Sequence, residues 1–334
     1  MKVAIIGAGA MAGALAIHLH RSGNAVAICA TKFDAQILEA IRRDRKHPTL
    51  GHWIPEGVDV HDDRHWSRGF RRADIAVLAV PSVGVLSSVT MALEHLGRHT
   101  VWAVATKGWV AGSGRPMSEF IEEVSPGHSV VMVVGPSLAS EIAGGTPTAL
   151  VCASKDPVAA AMVAAAITSG SLSGFVTDDI AGVEVAAAVK NVLAIAIGMC
   201  DGLEEVKGRS MTNTKGALFS RGLLEMGRLA ESMGGRQETV LGFTGAGDLY
   251  LTVAGGRNGR FGRLVGTGLD PIKAFEQMGT TVEGFDNTRE AVLLAKRHGI
   301  RLPVVEMTHS VLFGGADPEQ AILELVLSAL EPES

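Results

Sequence analysis

The sequence predicts an α/β N-terminal domain built on a doubly wound parallel sheet, followed by an all-helical C-terminal domain. Short β-branched runs alternate with helical patterns in the first half, whereas alanine, leucine and methionine at helical spacing replace them in the second half. The chain has 334 residues, of which 47% are hydrophobic, which is enough for two domains with real cores. We therefore expect domains at residues 1–182 and 183–334.

Six apolar runs are the predicted strands: Val3–Ile6, Ala25–Cys29, Ile75–Val80, Val101–Ala105, Val130–Val134 and Thr148–Cys152. Each run is apolar on both faces, which is typical of a parallel sheet covered by helices on both sides. Helical periodicity marks the second half at Ala217–Met233, Thr288–His298 and Glu319–Leu330. The longest apolar stretch, Val185–Cys200, contains Lys190 and is shorter than a membrane span of roughly 20 residues. It predicts a buried helix and no membrane span.

Charge and cysteine content exclude several classes of function. The formal net charge of −5 gives no basic excess for binding nucleic acid, so we expect no such partner. The three cysteines, Cys29, Cys152 and Cys200, lie far apart and lack metal-ligand spacing, which favours neither disulfides nor a zinc site. Met1 to Ile6 run directly into a glycine turn without a signal-peptide pattern. A cytoplasmic protein without a bound metal is the expectation.

A GxGxxA pattern directly follows the first predicted strand and opens a helical run. In a Rossmann-like sheet, Gly7 would permit the tight turn, Gly9 would let a pyrophosphate approach the backbone, and Ala12 would allow close helix packing. The phosphates would then lie at the helix N-terminus, beside Ala10 and Met11. This context predicts a dinucleotide site, with an ordinary strand-to-helix turn as the alternative.

The end of the second strand indicates which dinucleotide binds. NAD-selective sites usually have Asp or Glu there, to bind the ribose hydroxyls, but this chain reads Cys29-Ala30-Thr31-Lys32. Thr31 and Lys32 are suited to a 2′-phosphate, which favours NADP over NAD or use of both. The alternative is that Lys32 faces solvent.

Two further strand ends carry polar residues at the edge where parallel sheets bind ligands. Lys107 follows the strand that ends at Ala105, and a surface lysine is the alternative. Gly135-Pro136-Ser137 follows Val134 and would direct backbone N–H groups and a hydroxyl into the same region.

Lys190 lies in a segment, Val183–Ile197, that is apolar nearly all round. Burying an unpaired ammonium costs several kcal/mol, and Glu184 is on the wrong side of the helix to neutralise it. Desolvation, reinforced by Lys107, would lower the pKa of Lys190 towards neutrality and suit it to general acid/base chemistry. The alternative is a lysine that snorkels to the surface at a helix end.

A glycine-rich segment, 242–256, carries Asp248 and leads to Arg257 at a predicted helix start. An arginine fork near helix amides suits a phosphate monoester, and Asp248 would bind a substrate hydroxyl or orient Lys190. The alternatives are a solvated arginine and an aspartate that caps a helix.

Taken together, these residues show that the chain resembles the NAD(P)-dependent sn-glycerol-3-phosphate dehydrogenase family over nearly its full length. Each landmark is weak alone, but their order and spacing are specific. They are the glycine turn, Val80-Pro81-Ser82, Lys107-Gly108, Gly135-Pro136-Ser137, Val183-Glu184-Val185 to Lys190-Asn191, Ser220-Arg221-Gly222-Leu223, Gly247-Asp248-Leu249, Arg257-Asn258 and Val282-Glu283-Gly284.

The resemblance implies hydride transfer between NAD(P)H and C2 of dihydroxyacetone phosphate, giving sn-glycerol 3-phosphate, the glycerol backbone of phospholipids. It implies that Lys190 is the proton donor and acceptor at the C2 oxygen and that Lys107 is its electrophilic partner, contacting substrate and cofactor. It assigns Asp248 and Thr252 to the polar network, Arg257 and Asn258 to the substrate phosphate with Arg257 also near the cofactor, and Gly135, Ser137, Ala139 and Glu283 to the lining of substrate or cofactor. It also suggests a homodimer.

The chain departs from the family pattern in four places, one of which is Ala186-Ala187 where the family usually has Gly-Gly before the lysine. Residues 10–12 read Ala-Met-Ala where the family usually has Ser-Trp/Phe-Gly, and residues 201–213 are more charged than the usual short turn. His47-Pro48-Thr49-Leu50 only partly matches the usual Asn-Pro-x-x-Leu-Pro loop. These departures keep two alternatives open: a related dehydrogenase of another phosphorylated ketose, polyol or small hydroxy-compound, and a non-catalytic dinucleotide sensor.

Overall fold

The computed structural model describes residues 1–110 and 112–327. They form two compact units. The sheet unit consists of Met1–Val110 and Arg115–Ile180, and the helical unit of residues 112–114 and 181–327.

The sheet unit is built on one sheet of eight strands. They are β1 (Lys2–Ile6), β2 (Ala25–Cys29), β3 (Asp59–His61), β4 (Ile75–Leu78), β5 (Val101–Val104), β6 (Val130–Val134), β7 (Thr148–Ala153) and β8 (Leu172–Thr177). Their order is β3-β2-β1-β4-β5-β6-β7-β8, and every pair formed among β1 to β6 is parallel. The chain builds outward from β1 on one side and then returns to build on the other, which is the doubly wound arrangement. The predicted fold class is confirmed.

The prediction of an all-parallel sheet is wrong at β7, which is antiparallel to β6 and parallel to β8. The helix between β6 and β7 has only six residues, about 9 Å at the rise of an α-helix. It is too short to carry the chain back along the sheet to the edge where β6 begins, so the chain reverses direction.

Two strands, β3 and β8, were not predicted. β3 has three residues with a single apolar one, Val60, so it leaves no apolar run in the sequence. β8 is an edge strand in which Phe175 and Val176 are 47% and 52% exposed. Gly174 interrupts the apolar run of β8. Glycine is needed there because a Cβ would lie 2.9 Å from the Cα of Ala164 on a covering helix. Both strands therefore lack the pattern of a buried strand.

Seven helices belong to the sheet unit: α1 (Ala10–Arg21), α2 (Ala35–Asp44), α3 (Trp66–Phe70), α4 (Val85–Leu93), α5 (Met117–Val124), α6 (Ala139–Gly144) and α7 (Pro157–Ile167). Leu15 and Leu19 of α1 and Val163 of α7 join the core formed by the strand residues Val3 and Val77. Burial of these side chains fixes the glycine turn that precedes α1 against the end of β1.

The helical unit contains α8 (Ile180–Lys207), α9 (Thr212–Ser232), α10 (Gln237–Leu241), α11 (Asp248–Gly255), α12 (Arg257–Gly266), α13 (Pro271–Met278), α14 (Glu283–His298), α15 (Pro303–Gly314) and α16 (Pro318–Leu327). The predicted helical segments of the second half are confirmed in type. Residues 328–330 of the segment predicted as Glu319–Leu330 lie outside the described residues.

The long helix α8 is apolar and long enough to cross a membrane by length and composition, with a mean hydropathy of 1.9 in its best window. In the structure, 94% of that window is buried. Within the window, Lys190 and Asn191 make hydrogen bonds to side chains of neighbouring helices. These features identify α8 as the core helix of the helical unit, as the sequence predicted.

Glycines bring α8 and α12 into backbone contact. A Cβ at Gly198 on α8 would lie 2.2 Å from the carbonyl oxygen of Gly259, and one at Gly262 on α12 would lie 2.2 Å from that of Ile195. Gly202 and Gly266 meet the facing backbone at 2.1 Å in the same way. Such separations exclude any side chain, so glycine is required at each contact.

The charged stretch that begins at Asp201 is not a turn, because α8 continues through it to Lys207. Its charges are paired within the helical unit. Lys215 Nζ lies 2.5 Å from Asp201 and 2.6 Å from Glu204, and Arg263 lies 2.8 Å from Glu205. The charged residues at the end of α8 therefore connect this helix to α9 and α12.

Candidate active site

The carboxyl ends of β1, β2, β4, β5 and β6 lie at one edge of the sheet, because these strands are parallel. All of the site residues predicted in the sheet unit follow these strand ends. The structure therefore brings to one edge the glycine turn after β1, Thr31 and Lys32 after β2, Lys107 after β5, and Gly135, Ser137 and Ala139 after β6.

The glycine turn has the geometry that a diphosphate requires. Gly7 has φ +101°, and a Cβ there would lie 2.8 Å from the carbonyl oxygen of Ala79. A Cβ at Gly9 would meet no atom within 4 Å, so packing within the chain does not require that glycine. Gly9 is the N-cap of α1 with no side-chain cap, and the first turn of α1 has no acidic residue. Its N-terminal amides thus suit an anion.

The other residues of the turn follow its geometry. Ala12 is fully buried, as expected for the position at which α1 packs on its strand. Ala10 and Met11 are half-buried and pack against the core of the sheet unit. The residues present fit the diphosphate of a dinucleotide.

The end of β2 differs from its sequence-based interpretation. Thr31 caps a short 3₁₀ turn, Lys32–Asp34, and both its N–H and its hydroxyl donate to Asp34 Oδ2, at 2.8 and 2.7 Å. A carboxylate therefore does lie at this strand end, although the sequence up to Lys32 contains none. Lys32 is exposed, with its ammonium 5.1 Å from the centroid of the Phe33 ring. Sequence reasoning missed Asp34, but its capping-box spacing from Thr31 was a usable signal.

Lys107 is half-buried and lies just beyond β5. The preceding residue, Thr106, donates its hydroxyl to the carbonyl oxygen of Val80 at 2.8 Å. This hydrogen bond connects the end of β5 to the segment that follows β4. It therefore holds the backbone next to Lys107 in place.

The segment after β6 is also fixed by close packing. A Cβ at Gly135 would lie 2.6 Å from the carbonyl oxygen of Ala149 on β7. Ser137 is buried and donates its hydroxyl to the carbonyl oxygen of Gly135 at 2.9 Å. Ala139 is the first residue of α6. Gly135 therefore has a packing role of its own, and the Ser137 hydroxyl stabilises the turn.

In the helical unit, Lys190 on α8 and Asp248 on α11 form a buried ion pair. Lys190 Nζ donates to Asp248 Oδ2, and the two side chains are 2% and 1% exposed. The carboxylate stabilises the ammonium form, which offsets much of the cost of burying it. Lys190 lies in the interior of α8, so the alternative of a lysine snorkelling at a helix end is wrong.

Asp248 is positioned by the turns on either side of it. A π-helical turn, Phe243–Gly247, precedes it, and a Cβ at Gly245 in that turn would lie 1.9 Å from the carbonyl oxygen of Val240. Thr252, one turn further along α11, donates its hydroxyl to the Asp248 carbonyl oxygen at 2.6 Å. Asp248 has helical backbone angles and pairs with Lys190, so the alternative of a helix-capping aspartate is wrong.

Arg257 and Asn258 begin α12, but they lie in different environments. Arg257 is exposed, whereas Asn258 is buried. Asn258 Nδ2 donates to Asn191 Oδ1 at 2.9 Å, and Asn258 Oδ1 accepts from the backbone N–H of Gly284 at 2.9 Å. Asn258 therefore connects α8, α12 and α14.

Asn191 belongs to the family pattern but not to the predicted site residues. Besides binding Asn258, its Nδ2 lies 3.5 Å from Glu283 Oε2 and 3.1 Å from the carbonyl oxygen of Ala187. Glu283 is the half-buried first residue of α14. The structure thus groups Lys190, Asp248, Thr252, Asn258 and Glu283 around α8.

Two family models cover most of the chain. Residues 2–160 match the model described as NAD-dependent glycerol-3-phosphate dehydrogenase N-terminus, and residues 179–323 match the corresponding C-terminus model.

Curated relatives are similar over nearly the whole length. A glycerol-3-phosphate dehydrogenase [NAD(P)+] of Koribacter versatilis is 38% identical, covering 97% of this chain and 96% of the relative. An NADP(+)-dependent glycerol-3-phosphate dehydrogenase of Archaeoglobus fulgidus is 33% identical, covering 97% and 99%.

Among solved structures, a glycerol-3-phosphate dehydrogenase from Coxiella burnetii superposes with a TM-score of 0.89 at 31% identity, covering 97% of this chain and 98% of that one. The complex of a D-mandelate dehydrogenase with NADH superposes with a TM-score of 0.60 at 15% identity, which indicates a shared fold alone. From the two family models and the relatives above 30% identity, the chain belongs to the NAD-dependent glycerol-3-phosphate dehydrogenase family.

Proposed function

We propose that this protein interconverts dihydroxyacetone phosphate and sn-glycerol 3-phosphate by hydride transfer with NAD(P)H. In the reducing direction, a bound NAD(P)H would supply the hydride, with its two electrons, to C2 and would be left as NAD(P)⁺, while a residue of this chain would supply the proton to the C2 oxygen. The observation that carries the proposal is the buried Lys190–Asp248 pair, because a buried ammonium is a proton donor and also a positive charge for a developing alkoxide.

Lys190 is the proposed proton donor and acceptor at the C2 oxygen. Asp248 holds its ammonium in one position through the ion pair, and Thr252 holds the backbone of Asp248. Lys107 is the proposed electrophilic partner, contacting substrate and cofactor, from its fixed position after β5.

Arg257 is the proposed ligand of the substrate phosphate, because it is an exposed guanidinium on the first residue of α12. Asn258 would contribute its backbone N–H, which lies in the first turn of α12, and the second hydrogen of its Nδ2. Its other carboxamide contacts are already made with Asn191 and Gly284. Charge-assisted contacts from Arg257 would dominate the phosphate affinity.

The sheet unit is the proposed dinucleotide-binding domain, within residues 1–182, and the helical unit the substrate and catalytic domain, within residues 183–334. The diphosphate would lie on the amides after Gly9, with Ala10, Met11, Ala12 and Ala139 as neighbours. When bound, the cofactor supplies or accepts the hydride.

We further propose a preference for NADP. Lys32 offers an exposed charge for a 2′-phosphate, whereas the Thr31 hydroxyl is engaged with Asp34. Replacing Lys32 with Ala is expected to weaken NADPH binding about tenfold and to leave NADH binding unchanged, measured by titration calorimetry. Equal loss for both cofactors would contradict this role for Lys32.

A homodimer is the proposed assembly, on the basis of the family resemblance, and the cytoplasm is the proposed location, on the basis of the widely spaced cysteines. The three cysteines are free and buried, and burial raises the pKa of each thiol to about 12, which keeps the thiols protonated and unreactive. Light scattering of the purified protein tests the dimer: a monomer at micromolar concentration would contradict it.

The central experiment is the initial rate of NADPH and NADH oxidation with three substrates: dihydroxyacetone phosphate, unphosphorylated dihydroxyacetone and a four-carbon ketose phosphate. Rapid turnover with dihydroxyacetone phosphate alone is expected. Preference for the four-carbon compound would favour the related dehydrogenase, and no turnover with any of them would favour a sensor.

A further inference from the structure

His47 lies in the loop after α2, where the chain departs from the family pattern, and its side chain is fully buried. Its ring connects two backbone segments. Nε2 lies 2.8 Å from the carbonyl oxygen of Ala8, and Nδ1 lies 3.3 Å from the backbone nitrogens of Thr49 and Leu50. Backbone nitrogens only donate and carbonyl oxygens only accept, so Nδ1 is the acceptor and Nε2–H is the donor. These contacts define a neutral ring with a single tautomer.

The contact with Ala8 acts on the glycine turn directly. Ala8 lies between Gly7 and Gly9, and its carbonyl shares one planar peptide unit with the N–H of Gly9. A hydrogen bond that holds the Ala8 oxygen therefore also fixes the direction of the Gly9 N–H. Gly9 is the uncapped N-cap of α1, the point at which a diphosphate would approach.

Helix α1 is shaped to receive the His47 ring. A Cβ at Gly13 would lie 2.6 Å from Cδ2 of His47 and 2.9 Å from a methyl carbon of Leu50. Any side chain at Gly13 would displace the ring from Ala8. Burial lowers the pKa of His47 from 6.5, and it outweighs the hydrogen bonds to the backbone of Ala8 and Gly9 and the charge of Asp34, which raise this pKa. The lowered pKa favours the neutral ring and its donor and acceptor pattern at neutral pH.

We propose that His47 is a positioning residue for the cofactor diphosphate, holding the Ala8 carbonyl through Nε2–H and thereby orienting the Gly9 amide. This role deepens the proposed function and rests on it. His47 itself touches no reacting atom, so its loss is expected to weaken ligands that carry a diphosphate and to spare those that do not.

Two variants separate the two contacts of the ring. His47→Gln keeps a donor at the position of Nε2, whereas His47→Asn keeps an acceptor at the position of Nδ1 and is too short to reach Ala8. Binding of NADPH, ADP-ribose and adenosine 2′-monophosphate to the full-length protein is measured by titration calorimetry. The Asn variant is expected to bind NADPH and ADP-ribose about tenfold more weakly and the monophosphate equally well, while the Gln variant stays within about threefold of wild type.

Three results would overturn the inference: an Asn variant that binds NADPH like wild type, a Gln variant as weak as the Asn variant, or a parallel loss of the monophosphate. If the Asn variant does not fold, Gly13→Ala tests the same contact by displacing the ring, and unchanged ADP-ribose binding by that variant refutes the role. Wild-type protein that binds neither NADPH nor ADP-ribose would contradict the proposed function itself, which distinguishes the two failures.

Discussion

Removing one member of the Lys190–Asp248 pair is expected to destabilise the helical unit far more than removing both. The two side chains are 2% and 1% exposed, so a single variant leaves a buried charge without the ion-pair partner that it has in the wild type. Breaking a buried pair in this way costs about 3–5 kcal/mol. The double variant removes both charges, so it is expected to lose less stability than either single variant, and the losses are then less than additive by at least about 3 kcal/mol.

A double-mutant cycle tests this expectation by comparing the wild type with Lys190→Met, Asp248→Asn and the variant that carries both substitutions. At about 2–4 °C per kcal/mol for a unit of this size, each single variant is expected to lower the melting temperature by roughly 6–20 °C. Differential scanning calorimetry measures the thermal unfolding of the helical unit. Initial rates with dihydroxyacetone phosphate are expected to fall by orders of magnitude in both single variants and in the double variant. Single variants that each cost less than about 1 kcal/mol, or losses that simply add, would refute the reasoning.

Three further outcomes test other parts of the structure. Arg257→Ala is expected to raise the KM for dihydroxyacetone phosphate by about 30- to 1000-fold, equivalent to about 2–4 kcal/mol, with little change in cofactor binding; an unchanged KM would indicate a substrate without phosphate. Burial raises the pKa of Glu225 from 4.5 to about 8, so between these values the folded protein holds a proton that the unfolded chain releases. The free energy of unfolding therefore decreases as pH rises through this window, by at most about 1.4 kcal/mol per unit, and Glu225→Gln is expected to flatten that slope in urea titrations. Gly262→Ala places a Cβ 2.2 Å from the Ile195 carbonyl oxygen and is expected to lower the free energy of unfolding by about 3 kcal/mol or more. The control is Gly216→Ala on α9, whose Cβ would meet no atom within 4 Å and which is expected to stabilise the protein slightly. Similar melting temperatures for these two variants would contradict the close helix contact.

The fold was predictable because its buried parts leave a strong pattern. β2 and β6 were predicted at their observed bounds, since both are apolar on each face. The direction of β7 was not predictable from its own residues, because it depends on the length of α6. The edge strand β8 was missed because its exposed face and Gly174 remove the apolar run.

A site residue was predictable from the sequence where a charged side chain interrupts an apolar segment. Lys190 lies in an apolar helix, so its buried ammonium needs a polar or charged partner, and Asp248 was one of the residues expected to contact it. Asn191 and Asn258 were harder, because an asparagine in a helix is ordinary until the crossing of α8 and α12 brings the two carboxamides together. That contact depends on tertiary geometry that no local spacing encodes. Asp34 is a different case, because its capping-box spacing from Thr31 marks the local contact that the structure contains.

The glycine contact between α8 and α12 has a consequence for the substrate that the protein accepts. Lys190 lies on one helix and Arg257 on the other, and no side chain separates the two backbones where Gly198 and Gly262 meet them. A backbone contact has no rotamers through which it can relax, so it fixes the distance between the backbone of Lys190, the proposed proton donor, and that of Arg257, the proposed phosphate ligand. If these roles hold, the main chain limits the distance between C2 and the phosphate in an accepted substrate. A change of substrate length must come from residues outside this crossing.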